Sequence, residues 1–87
     1  MHKKLTEQDI ANIMGVNING YTVEKARVKD GEFSDSNHYG IVLAVNEHGH
    51  HVTWQFHLAD GWIPEVYWGH YHLENWETAI DDYNSRS

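Results

Sequence analysis

The apolar positions of this 87-residue chain change period twice, from a helical repeat to alternation and back. Near the start, Ile10, Ile13 and Met14 fall at i, i+3 and i+4, the spacing of one helix face. Thr6 stands before them as N-cap, with Asp9 three residues on as the partner of a capping box. Leu5 and Ile10 are placed to form a hydrophobic staple, and Gly15 offers the left-handed conformation that ends helices. The pattern predicts a helix over Leu5 to Gly15.

Alternation then takes over. Tyr21 to Lys29 reads as a strand, although Val23 and Val28 fall on opposite faces. Asp30 to His38 is polar and reads as a loop. Tyr39 to Val45 is apolar on both faces, the mark of a central strand. Asn46-Glu47-His48-Gly49 supplies a hairpin turn. His50 to Leu58 comes next, with Val52, Trp54, Phe56 and Leu58 on one side and His51, Thr53, Gln55 and His57 on the other. After Ala59-Asp60-Gly61 comes a strand from Trp62 to Tyr71, with Pro64 marking a sheet edge. A three-residue loop would pair Trp54 with Val66, Val52 with Trp68 and His50 with His70. A helical repeat returns at Trp76, Ala79, Ile80 and Tyr83, with Asn75 as cap. The reading is a single α+β domain spanning 1–87: a three- to four-stranded antiparallel meander with an N-terminal and a C-terminal helix packed on it.

Composition narrows the chemistry. There is no cysteine, so neither a disulfide nor a thiolate metal site can support the core. Nine of the eleven aromatic residues lie from Tyr39 onward, which places the heart of the core in the later half. The formal net charge of −7 repels phosphate and argues against nucleic-acid binding. The motif Thr6 to Val16 has the spacing of a first helix and turn of a helix-turn-helix. The adjoining segment, Asn17-Ile18-Asn19-Gly20, is unsuited to a recognition helix. No apolar run approaches a membrane span and no signal peptide is apparent, so the expected compartment is the cytoplasm.

Serines occur only at 34, 36, 85 and 87, and no phosphate-binding glycine loop is present. No catalytic constellation emerges, and a non-enzymatic role is expected. Two binding surfaces are suggested instead. In the register above, His50, His70 and His72 converge and could hold Zn²⁺ or Ni²⁺, with Trp62 exposed beside a turn as part of a ligand site. Otherwise no cofactor is called for. The second surface is the sheet face opposite Trp54, where Tyr39, Leu43, Thr53, Gln55, Tyr67 and Tyr71 form a mixed apolar and polar patch. Left open by the helices, that face would bind a protein partner or a second copy of the chain, centred on Leu43 and Tyr67. Covered by a helix, it would bind nothing.

The run Val52-Thr53-Trp54-Gln55-Phe56, then Tyr67-Trp68-Gly69-His70-Tyr71, then Ala79-Ile80-Asp81-Asp82-Tyr83 with Arg86, resembles short uncharacterised proteins of bacteria, phages and mobile elements. These pair a WGHY strand with an acidic A-x-x-D-[FY]-x-x-R terminal helix. The resemblance covers about the last 40 residues. It implies a small protein-binding accessory or inhibitor, comparable by size and charge to anti-CRISPR and antirestriction proteins.

Overall fold

The computed structural model describes residues 5–29, 38–59, 63–72 and 75–86. Among the described residues, two helices and five strands follow one another as α1 (Glu7–Ile13), β1 (Asn17–Ile18), β2 (Tyr21–Val28), β3 (Gly40–Val45), β4 (His51–Ala59), β5 (Ile63–His72) and α2 (Trp76–Ser85). The strands form one antiparallel sheet in the order β1-β2-β3-β4-β5. The fold is therefore the expected α+β meander, with five strands instead of three or four.

The additional strand comes from Asn17-Ile18-Asn19-Gly20. Ile18 pairs with Tyr21, and the two residues between them both have positive φ, 54° at Asn19 and 87° at Gly20. An Asn-Gly pair is the strongest short hairpin signal, because both residues tolerate that region and its twist matches the strands. Helix α1 starts as the sequence predicts. The Thr6 hydroxyl accepts from the Asp9 amide at 3.2 Å, and the Asp9 carboxylate accepts from the Thr6 amide at 2.9 Å. Such a cap contributes about 1 kcal/mol.

The imperfect alternation of β2 is a β-bulge. The pairing with β3 steps from Val23↔Ala44 to Lys25↔Leu43, leaving Glu24 as the extra residue. One inserted residue reverses the parity of everything after it. Val23 and Val28 thus lie on the same side, and both are buried in one cluster.

That cluster is the main core. It gathers Leu5 and Ile13 from α1 and its approach, Val42, Ala44, Val52, Trp54, Phe56 and Leu58 from the central strands, and Val23 and Val28 from β2. Trp54 is buried at its centre, as its position in the alternation predicts. Gly40 lies opposite Phe56, and a Cβ there would sit 2.3 Å from the Phe56 ring. The ring occupies the space that the missing side chain leaves. A second, smaller cluster lies on the other face, where Ala79, Tyr83 and Ile80 of α2 cover Ile41 and Leu43.

The architecture is thus three layers, α1 and α2 on opposite faces of the sheet. This corrects the open-face expectation: Leu43 is 0% exposed. The reason is the apolar strip of Ile41 and Leu43, which the apolar side of α2 covers with Ala79, Ile80 and Tyr83.

Trp54→Ala should destabilise the protein by about 3–5 kcal/mol in a denaturant titration, the usual penalty for emptying a large aromatic site. A change within about 0.5 kcal/mol, the range of an indifferent surface position, would place the core elsewhere.

Candidate functional site

Strand β5 pairs with β4 and forms one edge of the sheet. Its register differs from the sequence expectation. Leu58 pairs with Pro64 and Phe56 with Val66, a shift of two residues, because the pairing begins at Ala59 and Ile63 instead of at Leu58 and Trp62. Trp62 falls outside the described residues.

A second bulge then interrupts the ladder. The pairing jumps from Gln55↔Tyr67 to Thr53↔His70, so Trp68 and Gly69 together stand opposite Trp54. Trp68 takes φ of +54°, a left-handed conformation costly for a bulky side chain, on the order of 1–3 kcal/mol. Gly69 is required by the core beneath. A Cβ there would lie 2.8 Å from Trp54 Nε1.

The bulge reassigns the end of the strand. Tyr71 arrives on the Trp54 side, with ring centroids 6.4 Å from Trp54 and 6.2 Å from Tyr21. It therefore leaves the Tyr-rich face to which simple alternation assigns it. His70 and His72 move the other way, beneath α2. His50 keeps the parity of Val52, and its ring lies 6.0 Å from that of His48 in the hairpin. The triad of His50, His70 and His72 is not assembled, and among the described residues no group of three His, Cys, Asp or Glu side chains has a metal-holding arrangement.

The two displaced histidines meet Asp82 of α2. His70 Nδ1 donates to Asp82 Oδ2 at 2.9 Å and His72 Nε2 at 3.3 Å. The Thr53 hydroxyl donates to the same oxygen. Arg86 completes the cluster. Its Nη1 donates to the Thr53 carbonyl at 2.9 Å and hydroxyl at 3.0 Å, and its Nη2 to the Trp68 carbonyl at 2.7 Å. The bulged carbonyl, which the ladder cannot use, is thereby satisfied. At the other end, Arg27 of β2 donates to the carbonyls of Tyr83 and Arg86 and lies 5.3 Å from the Tyr83 ring. A cation thus closes the negative end of α2, although its last turn carries none. Burial opposes the charge of Asp82. Hydrogen bonds from Thr53, His70 and His72, with the electrostatic pull of the His70 ring, outweigh it and hold the carboxyl below its ordinary value.

Beside this clamp runs a polar chain. Gln55 Nε2 donates to Tyr67 Oη at 3.2 Å, Tyr67 Oη lies 3.4 Å from His57 Nδ1, and His57 Nε2 lies 3.0 Å from Glu65. Tyr39 packs against His57 with ring centroids 6.2 Å apart. Burial, with smaller contributions from Tyr39 and Glu65, raises the Tyr67 phenol above its ordinary value despite the Gln55 bond. The phenol therefore stays protonated at neutral pH, with its oxygen accepting from Gln55. It is held away from the ionised state a nucleophile needs.

No family model, curated protein or solved structure matches this chain. The functional reading rests on the geometry of the site.

Of the residues expected to form a binding face, Leu43, Thr53 and Gln55 are buried, and Tyr39 and Tyr67 are half-buried. Each is occupied within the fold. Tyr71 alone is largely exposed, at 60%, and it stands on the other side. Among the described residues, the exposed large aromatic side chains are Trp68 at 67%, Tyr71, and Trp76 at 55%. All lie on β5 or at the start of α2. Alternation and the helical stripe assign Trp68 and Trp76 to the core. The only local sign to the contrary is the Trp68-Gly69 pair, since glycine inside a strand marks bulges. Among the described residues, no helix is long and apolar enough to cross a membrane.

Asp82 gives a pH prediction. Its carboxyl is lower in the folded than in the unfolded protein, so folding binds fewer protons there. The stabilisation is complete above the unfolded value of about 4 and is lost as pH falls through the folded value. Asp82→Asn should cost about 1–3 kcal/mol at neutral pH and flatten the acid limb of a stability–pH curve. An unchanged acid limb would show that the clamp does not stabilise the fold.

Proposed function

We propose that this chain is a non-enzymatic protein-binding accessory or inhibitor, of the kind carried by phages and mobile elements, that engages its partner through β5. One observation carries the reading. Trp68 is held in a strained backbone conformation and leaves most of its indole in solvent. Strain of this kind costs stability and concentrates at functional positions. An exposed tryptophan is also among the commonest anchors of protein interfaces. Trp68 packs edge-on to Tyr67, at 5.1 Å between centroids, which limits its freedom before a partner arrives. The setting is what the WGHY strand and acidic terminal helix of the last 40 residues imply.

The competing ligand or metal reading, through His50, His70 and His72, has no comparable support. Those rings are divided between two faces, and His70 and His72 are engaged by Asp82.

Trp68→Gly separates a binding role from a structural one. Glycine relieves the left-handed strain, so the melting transition should rise, equivalent to about 1 kcal/mol. In capture experiments from the native host, the same variant should lose the partner that wild type and a Met14→Ala control retain. Equal capture by Trp68→Gly and wild type would overturn the proposal.

A further inference from the structure

Among the described residues no strand pairs with the outer edge of β5, which is ten residues long, whereas the opposite edge strand, β1, has two residues. Long free edges invite a further strand. The charge of the chain from Asp60 onward is one-sided, even with Asp82 held in the clamp and Glu65 beside His57. Five of the six Lys and Arg residues lie before position 30. From Asp60 onward there are six carboxylate side chains and one cation, Arg86. That guanidinium is spent on the Thr53 and Trp68 oxygens. Glu65 of β5 and Glu77 and Asp81 of α2 are exposed. A second copy of the chain would bring the same carboxylates against themselves, and Pro64 removes one donor from the edge. The edge is thus guarded against self-pairing and suited to an oppositely charged strand.

We infer that β5 accepts a Lys- or Arg-rich extended segment of a partner protein as a sixth, edge-paired strand, with Trp68 and Tyr71 packing against its side chains. This inference rests on the protein-binding reading and names the chemistry of the partner. Backbone pairing supplies the shared part of the affinity. Arginine or lysine against the exposed indole and phenol adds a cation–π contribution, and the surrounding carboxylates select the sign of charge.

The probe is a synthetic capped ten-residue peptide alternating Lys and Val, with a Glu-Val peptide of the same length as control. Both are titrated into the ¹⁵N-labelled full chain. The Lys peptide should shift and protect amides of residues 63–72, while the Glu peptide should leave them unchanged. Affinity should fall about ten-fold between ~0.01 and ~0.15 M salt, as the Debye length shrinks from about 30 to about 8 Å. Glu77→Gln and Asp81→Asn should each weaken binding about two-fold, the scale of an exposed charge pair. Equal response to both peptides, or shifts confined to other strands, would overturn the inference. So would sedimentation showing a dimer whose β5 amides are already protected without peptide. Trp68→Gly separates the two levels. Partner capture lost on Trp68→Gly, with no response to the Lys peptide, leaves the protein-binding reading standing and removes only the cationic strand. Capture insensitive to Trp68→Gly removes the protein-binding reading itself.

Discussion

The bulge at Trp68 and Gly69 decides what the last third of the chain can touch. In an antiparallel strand the side-chain period is two, so one inserted residue exchanges the faces of every residue beyond it. Without it, Tyr71 would point toward α2, and His70 and His72 would point into the layer occupied by Trp54. With it, the phenol packs on the main core and both imidazoles reach Asp82. The bulge is held from two sides. The Trp54 indole occupies the space above Gly69, and Arg86 binds the bulged carbonyl.

Helix α2 depends on the same arrangement. Its apolar contribution is small: Ala79, Ile80 and Tyr83 against Ile41 and Leu43. A ten-residue helix is marginal alone, and tertiary packing must supply its stability. The Asp82 cluster on one side and Arg27 at its C-terminal end add charged hydrogen bonds to that modest contact. The result is a polar, directional clamp where a larger protein would use a wider hydrophobic layer. It also explains why a face with Thr, Gln and His between its apolar residues is mostly buried. Its polar groups have partners on α2 and β5.

Closing that face leaves the exposed aromatic side chains on the edge strand and at the start of α2. Three exposed aromatic side chains lie on β5 and at the start of α2, and the exposed carboxylates Glu65, Glu77 and Asp81 lie on the same two elements. The proposed function rests on this shift. The same Tyr- and Trp-rich composition that suggests an interface in the sequence is divided by the fold into an internal set, Tyr39 and Tyr67, and an external set, Trp68, Tyr71 and Trp76.

Local physics sufficed for everything the sequence determined. The capping box at Thr6 and Asp9, the cap at Asn75, the apolar run of β3 and the alternation of β4 each lie within a few residues, and each element forms where its pattern predicts. The β1–β2 hairpin was also legible, in Asn19-Gly20, and the irregular spacing of Val23 and Val28 was the trace of a bulge. The register of β5, the burial of Leu43 and the exposure of Trp68 were decided elsewhere. They depend on contacts across 12 to 59 residues: His70 to Asp82, Thr53 to Asp82, Arg27 to Arg86. No pattern within a window of the sequence encodes which residue a folded chain will bring opposite another. A bulge changes that answer for every position after it, because the side-chain period of a strand is only two.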